Sequence, residues 1–343
     1  MFTQSMQYIF YVLLFLLLSQ NACQNDNERP QNAHAQQQST SPPLRCSLKA
    51  DPLWKYGGVQ LYPILADSAV AARQSDLKNW KVLAEVMPDR RFRITEMKQF
   101  GSERAWYNGL TVQNRSRDTV LLLSGDVVQG GNQDRTIAME QIVPPATVRN
   151  IEVFCVEHGR STYYNENASE SEKQLAAFRG YYNVASPSVR RAVQNGDQQG
   201  VWSAVSQVTA GNNATSPTQT YAALDNGAAE QQERTLLLER FEALSRKYPD
   251  LTGMIAVHNG EIIGVDVFGH PALFAKCAKA LLHGYVSDAM QRTPQHDTTV
   301  EALPALQHTL NEVAALATGT KADSHAQVEV FQAASHWVHI YKK

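Results

Sequence analysis

Hydrophobic and polar residues alternate along the first half of the chain in the pattern that is typical of β-strands. The alternation is clearest in four segments: Val59–Leu65, Phe92–Met97, Gly109–Asn114 and Val148–Glu157. The links between these segments are too short for the crossovers that parallel strands need, which predicts antiparallel pairing. The first half is therefore predicted to be rich in antiparallel sheet.

The second half mixes helical spacing with one strong hairpin pattern. Two apolar strands, 254–257 and 262–268, flank Asn259-Gly260, a pair that favours a tight β-turn. Apolar residues recur at helical spacing in several segments, namely Asp197–Thr209, Ala228–Tyr248, Ala272–Met290 and Val300–Ala317. A mixed helix is predicted over 75–86 and a closing strand over 327–341. The fold class is α+β, with an antiparallel β-rich N-terminal half packed against a mixed helix and hairpin C-terminal half.

The N-terminus predicts export. Residues 1–23 hold an apolar run, Tyr8–Leu18, that is shorter than the ~20 residues of a membrane-spanning helix and fits a signal peptide. Ala22-Cys23 resembles a lipoprotein processing site, although the segment before the run contains no Lys or Arg. We expect a lipid-anchored Cys23 facing the periplasm or cell surface. Cleavage at Ala33-His34-Ala35 with soluble secretion, and an uncleaved anchor, remain alternatives.

Residues 24–45 are Gln, Asn, Ser and Pro with almost no apolar content, which predicts a disordered tether. No Pro-, Gly- or Ser-rich linker divides the rest of the chain. Residues 46–343 are therefore expected to fold as a single domain.

The densest group of residues that folding alone does not require lies between Gly125 and Arg160. Gly130 and Gly131 form a turn that permits close approach of another backbone or a ligand. Amide, carboxylate and guanidinium groups surround this turn, and we predict that they line a polar, ligand-binding pocket. The residues assigned to it are Gly130, Gly131, Gln133, Arg135, Glu157 and Arg160. The alternative is a structural ion-pair network of Arg135, Glu157 and Arg160 that only holds the loop.

The same stretch carries a family resemblance. It rests on two elements, Gly130-Gly131-x-Gln133-x-Arg135-Thr136 and Cys155-Val156-Glu157-x-Gly159-Arg160. These resemble the signature of the ARPP type-one domain, which is named for its association with ARG and rhodanese-phosphatase proteins. Three downstream pieces also resemble it: Gln199–Trp202 with Ser216–Thr218, the Asn259-Gly260 hairpin, and Gly264-x-Asp266-x-Phe268. The resemblance covers nearly everything after residue 46 and implies no established activity.

Asp266 lies in an otherwise apolar strand and is the best candidate for joining the two halves of the chain into one site. If it is buried, it needs a cation, and Arg135 is the partner that we expect. Two functions follow. The first is a ligand-binding or interaction module. The second is a hydrolase-like enzyme in which Glu157 or Asp266 is the catalytic acid or base and Arg135 binds an anionic group.

Composition and motifs exclude several other classes of function. The net charge of −2 and the pI of about 6.6 provide no electrostatic footprint for nucleic acid. Neither a P-loop nor a dinucleotide-binding glycine spacing is present. No metal site follows from the spacing of His and Cys, and the trio His325, His336 and His339 fits ordinary histidines better than ligands. The sequence names no cofactor, and its one predicted partner besides a ligand is the membrane, through Cys23.

The remaining cysteines are Cys46, Cys155 and Cys277. In an oxidising compartment three thiols form at most one disulfide. Cys155 as a nucleophile would need a lowered pKa; Glu157 on the same face of its strand would instead raise it. Cys277, in an alanine-rich helix, is expected to be a small buried apolar residue.

The anchor can be tested by changing one residue. In Cys23→Ser the protein should move from the membrane fraction to the soluble fraction, or remain unprocessed, because the sulfur that carries the lipid is missing. Fractionation and N-terminal sequencing of the mature protein measure both effects. A mature protein that begins at Gln36, with unchanged localisation of the variant, would rule out lipidation at Cys23.

Overall fold

The computed structural model describes residues 44–56, 58–97, 108–160, 177–291, 303–320 and 325–342. The predicted signal segment 1–23, with Cys23, and almost all of the predicted tether lie outside these ranges. Leu44 already belongs to the first described strand, two residues before the predicted boundary at residue 46. By its internal contacts, Ser41–Lys343 is one compact unit.

The described strands are β1 (Leu44–Cys46), β2 (Lys55–Tyr56), β3 (Val59–Ala66), β4 (Lys81–Val82), β5 (Phe92–Glu96), β6 (Gly109–Asn114), β7 (Val120–Leu122), β8 (Asp126–Gly130), β9 (Arg135–Ile137), β10 (Gln141–Val143), β11 (Thr147–Cys155), β12 (Ala177–Val184), β13 (Leu251–His258), β14 (Glu261–Phe268), β15 (Val328–Ala333) and β16 (His336–Lys342). The described α-helices are α1 (Ser68–Arg73), α2 (Leu83–Val86), α3 (Pro187–Gln194), α4 (Gln198–Gly211), α5 (Ala228–Ser245), α6 (Pro271–Met290) and α7 (Leu303–Ala317). Short 3₁₀ helices cover Pro52–Trp54, Ser75–Asn79 and Tyr221–Asn226.

The larger sheet has the strand order β1-β3-β13-β14-β16-β15, and β2 also pairs with β3. All of its described neighbours are antiparallel. The predicted hairpin is confirmed as β13–β14: Asn259 and Gly260 have φ angles of 50° and 83°, as a tight hairpin turn requires. Along β13, Met254 and Ala256 face the core under α6, while Ile255 and Val257 face the core under α7. This alternation places one helix on each face of the sheet.

Six strands between Phe92 and Val184 close into a barrel in the order β11-β6-β5-β12-β8-β9. Its interior is apolar and includes Leu110, Val112, Ile151 and Val153, each at most 3% exposed. A three-stranded sheet, β10-β7-β4, adds a second layer, and its β4–β7 pair is parallel. The predicted antiparallel pairing therefore holds for the barrel and fails at this short pair.

Helix α6 joins the two sheet systems, because it packs against β13 and β14 of the larger sheet and against β12 of the barrel. Nearly all of its residues from Leu273 to Ala289 are buried, as expected of a helix that is enclosed on several sides. The α+β prediction is confirmed. Within the described residues no helix combines the length and the apolar character that crossing a membrane needs.

Several predicted elements differ from the structure. The mixed helix predicted over 75–86 is a 3₁₀ helix, the short strand β4 and the one-turn α2. The closing strand predicted over 327–341 is a hairpin, β15–β16. That hairpin turns at Ala334, which has a φ of 53°; without Gly, Pro or Asn, the turn leaves little trace in the sequence.

Candidate functional site

The predicted loop is the hairpin between β8 and β9, and its backbone requires both glycines. Gly130 and Gly131 have φ angles of 123° and 56°, which favour glycine. A Cβ at Gly130 would meet the carbonyl oxygen of Ala177 at 2.8 Å, and one at Gly131 would meet Glu96 Oε1 at 2.6 Å. The glycine pair therefore serves the close packing of this hairpin against β12 and Glu96.

Arg160 fastens this loop to the end of β11. Its Nη1 donates to the carbonyl oxygen of Gly131 at 2.8 Å, and its Nη2 donates to Asp134 Oδ1 at 3.0 Å and to Glu157 Oε2 at 2.7 Å. Glu157 Oε2 also accepts from the Asp134 amide at 2.9 Å, and the Glu157 carbonyl accepts from Gln133 Nε2 at 2.8 Å. The loop therefore contacts both Glu157 and Arg160, as the ion-pair alternative requires, while the ligand-binding role of these residues stays a prediction.

The electrostatics of Glu157 and Asp134 differ, although the same guanidinium contacts both. Burial opposes ionisation of Glu157, but hydrogen bonds from Arg160, Thr218 and the Asp134 amide outweigh burial, so the pKa of Glu157 lies below its ordinary 4.5. Burial raises the pKa of Asp134 above its ordinary 3.8, despite a hydrogen bond from Thr220. Glu157 is therefore ionised at neutral pH with both oxygens occupied, as suits an ion-pair network.

Arg135 is buried beneath the loop, with 2% of the residue exposed. Its Nη1 donates to Cys155 Sγ, and its Nη2 lies 3.8 Å from Glu96 Oε1. The expected pairing with Asp266 is wrong. Burial raises the pKa of the Cys155 thiol; Arg135 opposes this effect and Glu96 adds to it. The carboxylate that acts on Cys155 is thus Glu96, and not the Glu157 that strand alternation suggested.

Asp266 lies in a separate, fully buried cluster at the centre of the larger sheet. Arg190 from α3 binds it in bidentate fashion, with Nη2–Oδ1 and Nη1–Oδ2 distances of 2.9 and 3.1 Å. His339 Nε2 lies 2.9 Å from Oδ1, and the Tyr285 hydroxyl donates to Oδ2. Burial opposes ionisation of Asp266, but the charges and hydrogen bonds of Arg190 and His339 dominate and hold its pKa far below the ordinary value. The structure therefore places Glu157 and Asp266, the two candidate catalytic carboxylates, in different networks.

The cluster extends from Asp266 to two further buried carboxylates. His339 Nδ1 lies 3.3 Å from Glu140 Oε1, and Asp126 on β8 accepts from the Tyr181 hydroxyl at 3.1 Å. Burial lowers the pKa of His339, but hydrogen bonds with Asp266 and Glu140 reverse that effect and raise it. Burial raises the pKa of Asp126 to about 7. These groups connect the barrel to the larger sheet.

A small cavity of about 20 Å³ opens beside this cluster, between α3 and the strands β14 and β16. Three of its lining residues are basic, namely Arg190, Arg191 and Lys342, and none of the described lining residues is acidic. Asp266 neutralises Arg190, so the positive charge of the lining comes from Arg191 and Lys342; Glu312 and Glu261 act on Lys342 from outside the lining. Burial and the nearby charge of Arg191 lower the pKa of Lys342. Two cations held close together in a concave site favour an anion between them.

The sequence interpretation missed this cavity and the helix that builds it. The signal for α3 is present as Ser186-Pro187, an N-cap followed by proline at the first helical position. Val189 and Val193 are four residues apart and buried, as a short amphipathic helix requires. The approach of Lys342 to Arg191 joins positions that are far apart in the chain, and no local pattern predicts it.

The cysteines and histidines have structural surroundings. Cys46, Cys155 and Cys277 are free thiols, and burial raises the pKa of Cys46 to about 12. Cys277 is buried in α6, as predicted. His336 Nδ1 lies 2.8 Å from Gln74 Oε1. His336 is the first residue of β16, and the buried His339 lies three residues further along the strand. In the part of the chain that the structure describes, no group of three or more His, Cys, Asp or Glu side chains is placed to hold a metal ion.

Comparison with known proteins adds one finding. The family model of the ARG and Rhodanese-Phosphatase-superfamily-associated Protein domain, ARPP-1, matches residues 47–338. No curated protein and no solved structure matches the chain. The match spans the barrel, the loop network and most of the larger sheet; β1 and the end of β16 lie outside it.

The loop network predicts a specific loss of stability in Arg160→Ala. The Arg160 side chain is 32% exposed and that of Glu157 is 3% exposed, so solvent partly screens this ion pair. We therefore expect the variant to lose about 2 kcal/mol of unfolding free energy at pH 7, less than the loss of a fully buried pair would cost. The lowered pKa of Glu157 stabilises the fold above the ordinary 4.5. This contribution disappears as the pH falls through the folded pKa. The difference in unfolding free energy between variant and wild type should therefore shrink as the pH falls below 4.5.

Urea unfolding at several pH values measures this difference. Arg149→Ala is the matched control, because Arg149 is exposed and lies on β11, the strand that precedes Arg160; it should change stability by less than about 0.5 kcal/mol. An Arg160→Ala protein that is as stable as the control at pH 7 would show that the network does not hold the loop.

Proposed function

The chain belongs to the ARPP-1 domain family, and we propose that it is a ligand-binding module for a small anionic molecule. The observation that carries the proposal is the cavity beside α3, with its basic and uncharged lining. It shares none of its lining residues with the predicted Gly130–Arg160 loop. The proposed ligand site therefore lies elsewhere than the predicted loop site. In both sites the expected ligand carries an anionic group.

The chemistry of the cavity favours an oxyanion such as a phosphate, sulfate or carboxylate group. Arg191 supplies a planar guanidinium that binds two oxygens of such a group, and Lys342 supplies a point charge. Gln194 lines the same cavity, and its Nε2 donates to the Lys342 carbonyl at 3.3 Å. Burial is the main cause of the lowered pKa of Lys342, and the charge of Arg191 adds to it. An anion between the two side chains would oppose both effects.

The two carboxylates that the hydrolase alternative requires lack the properties of a catalytic acid or base. General acid–base catalysis needs a carboxyl group with a pKa near the working pH and with access to substrate. Glu157 and Asp266 both have lowered pKa values, and cations occupy their oxygens. Asp126 has a pKa of about 7, but it is 2% exposed and accepts from Tyr181 and from the Leu123 amide. Binding is thus the better-supported function.

The proposal includes the cellular setting that the N-terminus suggests. The protein is exported and anchored to a membrane through lipid on Cys23, facing the periplasm or cell surface. The apolar run, Ala22-Cys23 and the polar segment of residues 24–45 support this setting. The binding domain would then sample ligands outside the cytoplasm while it stays close to the membrane.

Thermal unfolding with and without added phosphate tests the binding function. A ligand that binds only the native state raises the melting temperature as its concentration rises. The wild type should respond to phosphate and to sulfate more than to chloride at equal ionic strength, which controls for general screening. Arg191→Gln and Lys342→Gln should each weaken the apparent affinity roughly ten-fold, since each removes one charge-assisted hydrogen bond.

Arg246→Gln is the control, because Arg246 is exposed at the end of α5 and lies outside the lining of the cavity. It should respond to phosphate as the wild type does. A wild type that phosphate and sulfate leave unchanged, or an equal response in all three variants, would contradict the proposed site.

A further inference from the structure

Five exposed arginines gather at one end of the barrel, on the neighbouring segments 89–93 and 115–118. They are Arg90, Arg91, Arg93, Arg115 and Arg117. The two segments run side by side, because Phe92 at the start of β5 pairs with Asn114 at the end of β6. The Arg115 amide also donates to the carbonyl oxygen of Arg91 at 2.7 Å. We call these five arginines the arginine face.

Little negative charge offsets the arginine face. The two segments contain the acids Asp89 and Asp118, and both act on Arg91. Asp89 Oδ2 lies 2.7 Å from Arg91 Nη2, and the charge of Asp118 acts on the same guanidinium. Among the described residues, no carboxylate forms an ion pair with the other four arginines. Five arginines against two aspartates give the two segments a net charge of +3, in a chain whose net charge is −2.

Buried Asn114 fixes the backbone of the second segment. Its Nδ2 donates to the carbonyl oxygen of Asp118 at 2.8 Å, and its Oδ1 accepts from the Ser116 amide at 2.9 Å. Asn114 is fully buried, so water does not compete for these hydrogen bonds. Arg115 and Arg117 therefore project from a backbone that is already ordered, which reduces the entropic cost of binding a partner there.

An exposed apolar side chain lies beside the arginine face. Asn114 Nδ2 also donates to the carbonyl oxygen of Pro144 at 3.1 Å, which holds the turn before β11 against the second segment. Val148 on β11 pairs with Gln113, and Gln113 pairs with Arg93. Paired residues lie on the same face of a sheet, so these three side chains share the outer face of the barrel. Val148 is 60% exposed there.

We propose that the arginine face binds the surface of an anionic membrane, with its guanidinium groups at lipid phosphates and Val148 among the headgroups. A guanidinium binds a phosphate group through two parallel hydrogen bonds. Clustered cations are attracted to anionic headgroups, and the adjacent apolar side chain gains free energy by leaving water. A nucleic acid backbone offers the same phosphates but no apolar layer for Val148.

The choice of a membrane rests on the proposed cellular setting, in which Cys23 carries a lipid anchor. Residues 24–43 separate Cys23 from Leu44. A tether of this length has a root-mean-square span of about 25 Å when it is flexible. A domain held so close meets the headgroups repeatedly, and the arginine face would determine which side of the barrel it presents to them.

Titration of the full-length Cys23→Ser protein with lipid vesicles tests the proposal by sedimentation. Vesicles of phosphatidylcholine that contain phosphatidylglycerol should bind more than about 100-fold more strongly than pure phosphatidylcholine, and added salt should reduce the ratio. The pure phosphatidylcholine vesicles measure the contribution of the apolar run Tyr8–Leu18, so the ratio reports the charges alone. An equal affinity for the two kinds of vesicle would overturn the proposal.

A triple variant of the arginine face should lower the affinity for the anionic vesicles about 100-fold, since each arginine contributes about five-fold. It combines Arg93→Gln, Arg115→Gln and Arg117→Gln. The control removes three exposed cations of α1 and of the end of α5, and combines Arg73→Gln, Arg246→Gln and Lys247→Gln. It should weaken binding less than about three-fold, through net charge alone. All six positions are exposed, and melting temperatures check that both variants fold. Equal loss in the two variants would overturn the proposal.

Val148→Asp tests the apolar part of the contact. It should weaken binding to the anionic vesicles about ten-fold, because it places a carboxylate among lipid phosphates. Leu236→Asp on α5 is the matched control, since Leu236 is also 60% exposed; this variant should bind nearly as the wild type does. Equal affinities of the two variants would overturn the proposed contact.

Two variants of the basic cavity, Arg191→Gln and Lys342→Gln, separate this inference from the proposed anion site. Both should bind the anionic vesicles normally. If they lose binding, a headgroup occupies the cavity and the arginine face is not the lipid site. If the wild type ignores anionic vesicles while phosphate still raises its melting temperature, the membrane contact fails alone.

Other partners of the arginine face would give different results. Duplex DNA or RNA that binds the wild type more tightly than the anionic vesicles do, and that the triple arginine variant no longer binds, would overturn the lipid assignment. A concentration-dependent dimer that the triple variant abolishes would overturn it as well, because a second copy of the chain would then cover this surface.

Discussion

The buried ion pair between Asp266 and Arg190 is the interaction on which most of this structure depends. It joins a strand of the larger sheet to α3 through two hydrogen bonds, and both side chains are at most 8% exposed. Removing either partner would leave an uncompensated charge in the core, which is far more costly than the loss of an exposed pair. His339 and Tyr285 occupy the remaining positions around the carboxylate and bring β16 and α6 into the same cluster. The sheet, two helices and, through Glu140, the edge of the barrel are thus held by one carboxylate.

The ion pair also decides what the neighbouring side chains can do. Because Asp266 neutralises Arg190, the positive character of the adjacent cavity comes from Arg191 and Lys342, which α3 and β16 hold on either side of it. The same pairing removes Asp266 from acid–base chemistry, since its carboxylate is ionised and fully hydrogen-bonded. A structural requirement of the core therefore places Arg191 and Lys342 at the proposed binding site and disfavours a catalytic role for Asp266.

The sequence predicts those features whose signals are local. The β13–β14 hairpin follows from Asn259-Gly260, the long helices follow from their apolar spacing, and the loop network follows from clustered polar groups around two glycines. The partner of Asp266 could not be predicted in this way: a buried acid requires a cation, but the chain offers 31 lysines and arginines, and only the three-dimensional packing selects Arg190, 76 residues away. Barrel closure and the approach of Arg191 to Lys342 could not be predicted either, because both depend on contacts between residues that are far apart in the sequence.

The central claim is that an anion binds between Arg191 and Lys342. The most direct measurement is the anomalous scattering of crystals soaked in selenate, a tetrahedral oxyanion whose heavy atom can be located without reference to the protein model. The account predicts a selenium peak in the cavity beside α3, with oxygens within hydrogen-bonding distance of the Arg191 guanidinium and Lys342 Nζ. Selenium peaks confined to other surfaces, with this cavity accessible to solvent in the crystal, would contradict it.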